Sequence, residues 1–390
     1  MRRNEIWRSY GTEYKEMTKK LLLECGFEEM LPAITNDEAV SNGAAASNAS
    51  AASLASAAYG AGPCIAIKPN LVTPSPAFFG ATTHPEVVAG IIEFLQERGY
   101  NNIVIAEGSW VGDKTDEAFE YCGYNSLARD YGVKILDTQK EKGEKVDCAG
   151  VDLNICKCVR DFDFLINVPV LKGHCQTHIT CALKNMKGLI PNSEKRRFHT
   201  MGLHKPIAHL NVGIKPDFIV IDHICGDLSF EEGGNPVTRN CVMTAVDPVL
   251  VDSYVCSLLG YDLEEVPYVG LAEKLGIGSS DLSDLRLITC EGEPQEDLPA
   301  RKVLDVSYAV DDVDSCSACY GVLIPALERL KEEGLLDKLP RIAIGQGHRG
   351  QRGVLGVGNC TSGFETFVEG CPPKEEDIYQ QLKEYATKVK

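Results

Sequence analysis

The sequence predicts an α/β protein: a mostly parallel sheet with helices on both faces, plus a small C-terminal cysteine-ligated α/β appendage. Three observations predict it. Short apolar runs alternate with helical spacings over residues 63–300, the rhythm of parallel strands joined by crossover helices. Several of those runs end on polar residues, namely Lys68 and Asn70, Glu107, Lys172 and Asp222, and open α/β sheets bind ligands beyond the carboxyl ends of their strands. After residue 300 the pattern changes, and four cysteines fall in one tail: Cys316 and Cys319 with two residues between them, then Cys360, then Cys371 followed by Pro372.

Taken in order, Ile6, Trp7, Tyr10, Tyr14, Met17, Leu21 and Leu22 stand at near-helical spacing and predict a helix over residues 5–25. Residues 39–62 are almost all Ala, Ser, Asn and Gly and read as a mobile surface insertion. Cys64-Ile65-Ala66-Ile67 reads as a buried strand, residues 84–98 as a helix, and Ile103-Val104-Ile105-Ala106 as the next strand. A helix is expected over residues 115–121 and strands over 133–136, 164–168 and 218–222. Asp247 before Pro248 reads as an N-cap followed by a proline at the first helical position, opening a helix to residue 259. That explains Asp247 as a cap but leaves Asp252 unexplained. In the tail, a helix over residues 323–333 and a strand over 341–344 precede a glycine-rich stretch from Gly345 to Gly358. So many glycines let backbone N–H groups approach a ligand.

The domain division follows: 1–38, an N-terminal helical segment; 39–62, the insertion; 63–300, the α/β core; 301–390, a metal domain. The chain has 390 residues, 44% hydrophobic and 24% charged, with a formal net charge of −17. That charge argues against a broad nucleic-acid or anionic-membrane surface. No apolar run reaches the ~20 residues of a membrane span, and the N-terminus lacks the apolar core of a secretory signal, so a cytoplasmic location is expected. Sixteen cysteines in a reducing compartment do not read as a disulfide framework. Cys25, Cys122, Cys241 and Cys256 sit among apolar neighbours and read as small packing residues.

Two constellations carry chemistry. The tail thiols Cys316, Cys319, Cys360 and Cys371 supply the four soft ligands that an iron–sulfur cluster or a zinc ion requires. A [4Fe–4S] cluster is the favoured cofactor, zinc the alternative. The second stretch, Asn167 to Gly188, packs Lys172, Lys184, Lys187, His174 and His178 behind a buried strand. His174 and His178 are four apart, which on a helix places both on one face. They could hold a metal with His199 or Cys175. A cationic pocket for a carboxylate or phosphate is the stronger reading, and a solvated helix face the bland one. The acidic, glycine-rich loop from Asp222 through Asp227, Glu231 and Glu232 to Asn235 would face those lysines, and paired groups with displaced pKa values suit proton transfer.

Ile67-Lys68-Pro69-Asn70-Leu71, Thr82-Thr83-His84-Pro85, Glu107-Gly108, Asn167 to His174, Lys184-Asn185-Met186-Lys187-Gly188, Asp222, Gly234-Asn235-Pro236 and Asp247-Pro248 with Asp252 resemble the domain of unknown function 362 family over residues 62–290. The resemblance implies the fold and no settled activity. It also implies iron–sulfur ligands, commonly an appended two-cluster ferredoxin segment, from which this dispersed tail departs. Lys172 to Gly188 is also similar to part of the lactate-racemase family, whose members use basic residues around a nickel-pincer nucleotide. Gly370-Cys371-Pro372-Pro373 resembles a cluster-ligating stretch of hydrogenase small subunits.

The expectation is a redox-linked iron–sulfur enzyme, an oxidoreductase or lyase. Lys68, Asn70, Lys184, Lys187 and Asn235 would bind a small anionic substrate, and Lys172, His174, His178, Glu107 and Asp222 would act catalytically. A non-catalytic electron-transfer or maturation partner, docking on a redox protein, is the first alternative. A zinc-stabilised racemase-like isomerase is the second. The apolar N-terminal segment would serve either as a homodimer contact or as a cover for the sheet.

Overall fold

Eight strands order themselves as Arg286–Glu291, Glu5–Tyr10, Pro236–Ala245, Phe218–Asp227, Phe164–Val168, Ile65–Pro69, Ile103–Glu107 and Lys134–Asp137 in the main sheet of the protein. The structure is a computed structural model that describes residues 1–34, 62–228, 230, 231, 233, 236–294 and 306–388. Positions 39–61 of the expected insertion, and Asn235, lie outside the described residues. The five strands from Phe218–Asp227 to Lys134–Asp137 run parallel, and Pro236–Ala245 is antiparallel to both of its neighbours. The α/β expectation with a mostly parallel sheet therefore holds.

Side chains of the central strands alternate between two apolar cores, as the period of two requires. Ala66, Val104, Ala106, Leu165, Ile219 and Ile221 face one core, which the helices Pro248–Leu259, His204–Gly213 and Pro267–Lys274 cover. Ile65, Ile67, Ile103, Ile105, Ile166 and Val220 face the other, covered by Tyr14–Glu24 and Pro85–Gln96. Both faces are helix-covered, which is why these strands read as continuous apolar runs.

The N-terminal expectation needs correcting. Residues 5–25 form not one helix but the strand Glu5–Tyr10, then the helix Tyr14–Glu24. The apparent helical spacing merged two patterns across Gly11. The run Ile6-Trp7-Arg8-Ser9-Tyr10 suits a strand, and the main sheet supplies partners for it on both sides. The strand expected at 218–222 also continues, to Asp227, paired along its length with Pro236–Ala245. The Asp247 cap is as expected: its Oδ1 accepts from the N–H groups of Val249 and Leu250, with Pro248 at the first helical position.

After residue 305 a separate apolar cluster forms around a four-stranded parallel sheet, Val310–Asp312, Ile342–Ile344, Leu355–Val357 and Thr366–Val368. The helix Ser317–Glu332 begins six residues earlier than expected, with Cys316 as its N-cap. Among the described residues, no helix is long and apolar enough to cross a membrane.

Candidate functional site

The parallel strands Ile65–Pro69 and Ile103–Glu107 are neighbours, so their carboxyl ends place Lys68 beside Glu107. Lys68 Nζ donates to Glu107 Oε2 at 2.7 Å, to the Pro69 carbonyl at 2.7 Å and to Asn185 Oδ1 at 3.1 Å. Glu107 also accepts from the N–H groups of Leu71 and Gly108. Burial lowers the pKa of Lys68 while Glu107 opposes the shift. This pair forms one wall of a cleft with about 620 Å³ of empty space, open to solvent.

The opposite wall comes from the segment after Phe164–Val168. A short hairpin pairs Lys172–His174 with His178–Thr180, and the chain then turns into the helix Ala182–Asn185 and the 3-10 turn Met186–Leu189. Asp252 anchors that turn: its carboxylate accepts from the N–H groups of Ala182 at 2.7 Å and Leu183 at 3.2 Å. Lys184, Asn185, Lys187 and Gly188 are thereby delivered to the cleft, with Thr180. Lys184 Nζ donates to Glu231 Oε1 at 2.8 Å and Thr180 Oγ1 at 3.0 Å. The expected pairing of the acidic loop with the basic stretch is therefore present, through Glu231.

Several expected site residues take other places. His174 and His178 do not share a helix face; they oppose each other across the hairpin, and His178 has a positive φ of 61°. His178 packs on Tyr261 with ring centres 4.9 Å apart and does not line the cleft. The reversal of the chain over Cys175-Gln176-Thr177 defeats the four-residue helical spacing. His174 Nδ1 accepts from the N–H groups of Gln176 and Thr177, and its Nε2 lies 2.8 Å from Glu231 Oε2. That fixes the proton on Nε2. Burial holds the imidazole neutral, with its pKa pushed down to about 4 although Glu231 pulls the other way. Lys172 is buried behind the cleft, donating to the carbonyls of Ala81 and Glu231. Asp222 lies mid-strand and away from the cleft, binding the backbone N–H and Nδ1 of His84. The strand continues past it because Pro236–Ala245 pairs with the extension, so it never becomes a strand end.

Asn185 and Lys195 line the cleft although neither carried a site expectation. Asn185 donates to Asn167 Oδ1 and accepts from Asn70 and Lys68, tying the ends of two neighbouring strands together. Lys195, from the helix Asn192–Thr200, donates to the carbonyls of Gly108 at 2.8 Å and Ser109 at 2.7 Å. Within Glu194-Lys195-Arg196-Arg197 it reads as one more solvated charge, and no sequence signal marks it. Cys316, from the tail, also lines the cleft, and Gln176 Nε2 donates to Ser315 Oγ at 3.0 Å across the same boundary.

Counting donors separates the four lysines, since an ammonium has three. Lys68 uses all three, while Lys184 and Lys195 use two each. Lys187 makes no hydrogen bond or ion pair among the described residues; its nearest ring contact is Phe198, 6.0 Å away. Burial, then the Lys184 charge, pushes Lys187 down to about 7, with Glu231 opposing. Burial pushes Lys195 down to about 8. Glu107 and Glu231 offset Lys68 and Lys184, so the protonated cleft keeps a surplus of positive charge on Lys187 and Lys195. Asn70 Oδ1 is buried in the same cleft without a donor among the described residues.

The floor is tight. A Cβ on Gly188 would run into Glu107 Oε1 and the Cε and Nζ of Lys68. Gly188→Ala is expected to cost roughly 1–3 kcal/mol, measured by chemical denaturation, because neither buried partner can withdraw without breaking the ion pair.

The four tail thiols come together for a topological reason. Cys316, Cys360 and Cys371 each follow the carboxyl end of a parallel strand of the small sheet, Val310–Asp312, Leu355–Val357 and Thr366–Val368, and Cys319 lies one helical turn beyond Cys316. Cys316 and Cys319 are each pushed up by burial and then by the other thiols of the set, Cys319 to about 12. Gln346 Nε2 donates to Cys316 Sγ at 3.7 Å, and the Arg349 guanidinium bonds Cys360. Among the described residues, no three His, Cys, Asp or Glu side chains lie close enough to hold a single metal ion. All sixteen cysteines are free thiols, and Cys25, Cys122, Cys241 and Cys256 are buried as expected.

With this geometry in hand, comparison with known proteins adds sequence context. A curated relative, the Thylakoid-associated protein sll1697 of Synechocystis sp., is 26% identical over 227 residues, 55% of this chain and 69% of the relative. Among solved structures, the lactate racemase apoprotein from Thermoanaerobacterium thermosaccharolyticum aligns with a TM-score of 0.37 and 13% identity, over 65% of this chain and 56% of that one. A Thermotoga maritima protein aligns with the same score and identity, over 64% and 60%. The chain thus spans less than two thirds of either solved structure. By sequence, residues 65–257, which supply most of the cleft lining, match the family described as Domain of unknown function (DUF362).

Proposed function

We propose that the protein is a redox-linked iron–sulfur enzyme acting on a small anionic substrate in the cleft at the strand carboxyl ends. The observation that carries this reading is the cleft's uncompensated pair of amines, Lys187 and Lys195, facing a wall that includes Cys316. Lys195 retains one N–H after its two carbonyl bonds, and Lys184 retains one after Thr180 and Glu231, so both can donate to a carboxylate or phosphate. His174, unable to take a second proton without losing two backbone bonds, orients Glu231 rather than moving protons itself. Asn70 Oδ1 offers an acceptor to a substrate hydroxyl.

Cys316, Cys319, Cys360 and Cys371 would hold the [4Fe–4S] cluster. Their mutual approach, and the N–H donors that Gln346 and Arg349 aim at two of the sulfurs, fit such a group. A single zinc needs all four sulfurs about 2.3 Å from one centre, a tighter set than this one. A bound cluster would supply one-electron transfer at the cleft wall.

Anaerobic purification with iron, sulfide and zinc quantification tests the metal: about four irons and four sulfides per chain are expected, with iron lost in Cys371→Ala. One zinc and no iron overturns the cluster. Calorimetric titration with glycolate tests the cleft. Both amines are charged below pH about 7 and neutral above about 8, so affinity should fall roughly tenfold or more between pH 6 and pH 9, at about 1.4 kcal/mol per tenfold, and Lys195→Met should weaken it at pH 6. A reducible cluster without anion binding would instead favour the electron-transfer partner.

A further inference from the structure

We propose that Lys187 is an amine nucleophile, its Nζ attacking the carbonyl carbon of a small oxo acid held in the cleft to form an imine. This rests on reading the cleft as an anion site, and it specifies the substrate class: a carboxylate carrying an aldehyde or ketone.

The backbone under Lys187 is fixed. Asp252 accepts from the N–H groups that open the preceding helix, Asn211 donates to the Leu183 carbonyl, and Thr138 donates to the Gly188 carbonyl. The side chain is thus carried to the cleft on a rigid turn, yet its amine has no hydrogen-bond acceptor among the described residues. The other three lysines of the cleft are engaged with carboxylates or carbonyls, which hold their lone pairs as N–H bonds. Only an amine whose lone pair is exposed attacks carbon, and lysines next to other cations in desolvated sites are the ones activated in this way.

Most of the groups around Lys187 disfavour its charge. Lys184 and Lys195 repel its charge, and the imidazoles of His174 and His199, held neutral at about 4 and about 3, add none. Among the described residues Glu231 is the one carboxylate whose charge favours the ammonium, and Glu231 is already shared by Lys184 and His174. The amine is therefore half neutral near pH 7, against roughly one part in a thousand for an ordinary lysine.

The step balances without an oxidant or reductant. The Nζ lone pair forms the C–N bond as the carbonyl π-bond breaks, and the oxygen takes up a proton to give a carbinolamine. Loss of that hydroxyl with a proton as water then leaves the imine, so amine plus carbonyl give imine plus water. Lys195 holds the substrate carboxylate while protonated, and Asn70 Oδ1 stands in the same cleft as an acceptor for the carbinolamine hydroxyl.

The experiment is to incubate the full-length protein with glyoxylate, reduce with borohydride, and read intact mass and peptide maps. The expected result is one adduct, mapped to Lys187, carrying the mass of glyoxylate less water plus two hydrogens. Its rate should rise as the pH passes about 7 and fall above about 8, where Lys195 discharges. Surface lysines would label only toward pH about 10. Lys187→Arg lacks a nucleophilic amine and should abolish the adduct, with the fold shown intact by circular dichroism. Glycolate binding without a Lys187 adduct in the wild type overturns the nucleophile and leaves the anion site standing. Neither binding nor adduct overturns both, and an adduct that maps elsewhere or survives Lys187→Arg refutes the assignment to this residue.

Discussion

Lys68→Met is expected to destabilise the protein by about 3–5 kcal/mol, the cost of removing one partner from a buried ion pair. Lys68 and Glu107 are 2.7 Å apart, with side chains 1% and 3% exposed. The substitution keeps the length of the stem and deletes the charge, leaving the Glu107 carboxylate with two backbone N–H donors and no directly bonded cation. Against a typical total of about 5–15 kcal/mol, that is a large fraction. Adding Glu107→Gln should recover much of the loss, because a neutral amide still accepts from Leu71 and Gly108 without a buried charge. The measurement is denaturant unfolding of both single variants and the double. A Lys68→Met cost below about 1 kcal/mol, as for exposed pairs, would show that water reaches this pair.

Asp252→Ala should cost about 2–4 kcal/mol, since it strips the acceptor from two buried N–H groups and opens a small cavity. Its effect reaches the site, because the helix and turn that these bonds anchor carry Lys184, Asn185 and Lys187. Burial pushes the Asp252 carboxyl up to about 7, from an ordinary value of 3.8. The native state therefore binds this proton more tightly than the unfolded chain does. Stability is greatest below the unfolded value, falls as the pH climbs toward about 7, and levels off above it. The full swing is as much as ~4 kcal/mol at about 1.36 kcal/mol per unit. Asp252→Asn carries no titrating proton and keeps one acceptor, so it should lose only about 1 kcal/mol at pH 5 and flatten this dependence. If Asp252→Asn falls with pH as steeply as the wild type between pH 5 and pH 7, the carboxyl does not titrate as described.

The sequence was most readable where local chemistry and burial agree. Runs such as Phe164-Leu165-Ile166-Asn167-Val168 can only be strands of a sheet covered on both sides, and Asp247-Pro248 caps the helix that follows through its own carboxylate. Lys68, Asn70 and Glu107 were visible as polar residues at strand ends, and Lys184 and Lys187 as members of the basic stretch behind Phe164–Val168; all five line the cleft. Where the sequence misled, a periodicity was short or a fold-level partner was missing. Ile6 and Tyr10 fitted a helix until the main sheet offered them neighbours, and His174 and His178 fitted one face until three residues reversed the chain between them.

What the sequence alone determined is composition, the alternation that makes a parallel sheet, and the supply of amines, carboxylates and thiols. What the tertiary structure decided is which of them meet. Lys195 enters the cleft because its helix packs that side onto the Gly108 and Ser109 carbonyls, while Asp222 leaves it because a neighbouring strand extends the ladder. Cys316, Cys360 and Cys371 converge although up to 55 residues apart in number, because parallel strands gather their carboxyl ends on one edge. Burial, which only the packed fold can impose, then leaves Lys187 with an amine near neutrality and Lys68 with a fixed charge. Local sequence spells the groups; desolvation and strand order assign their chemistry.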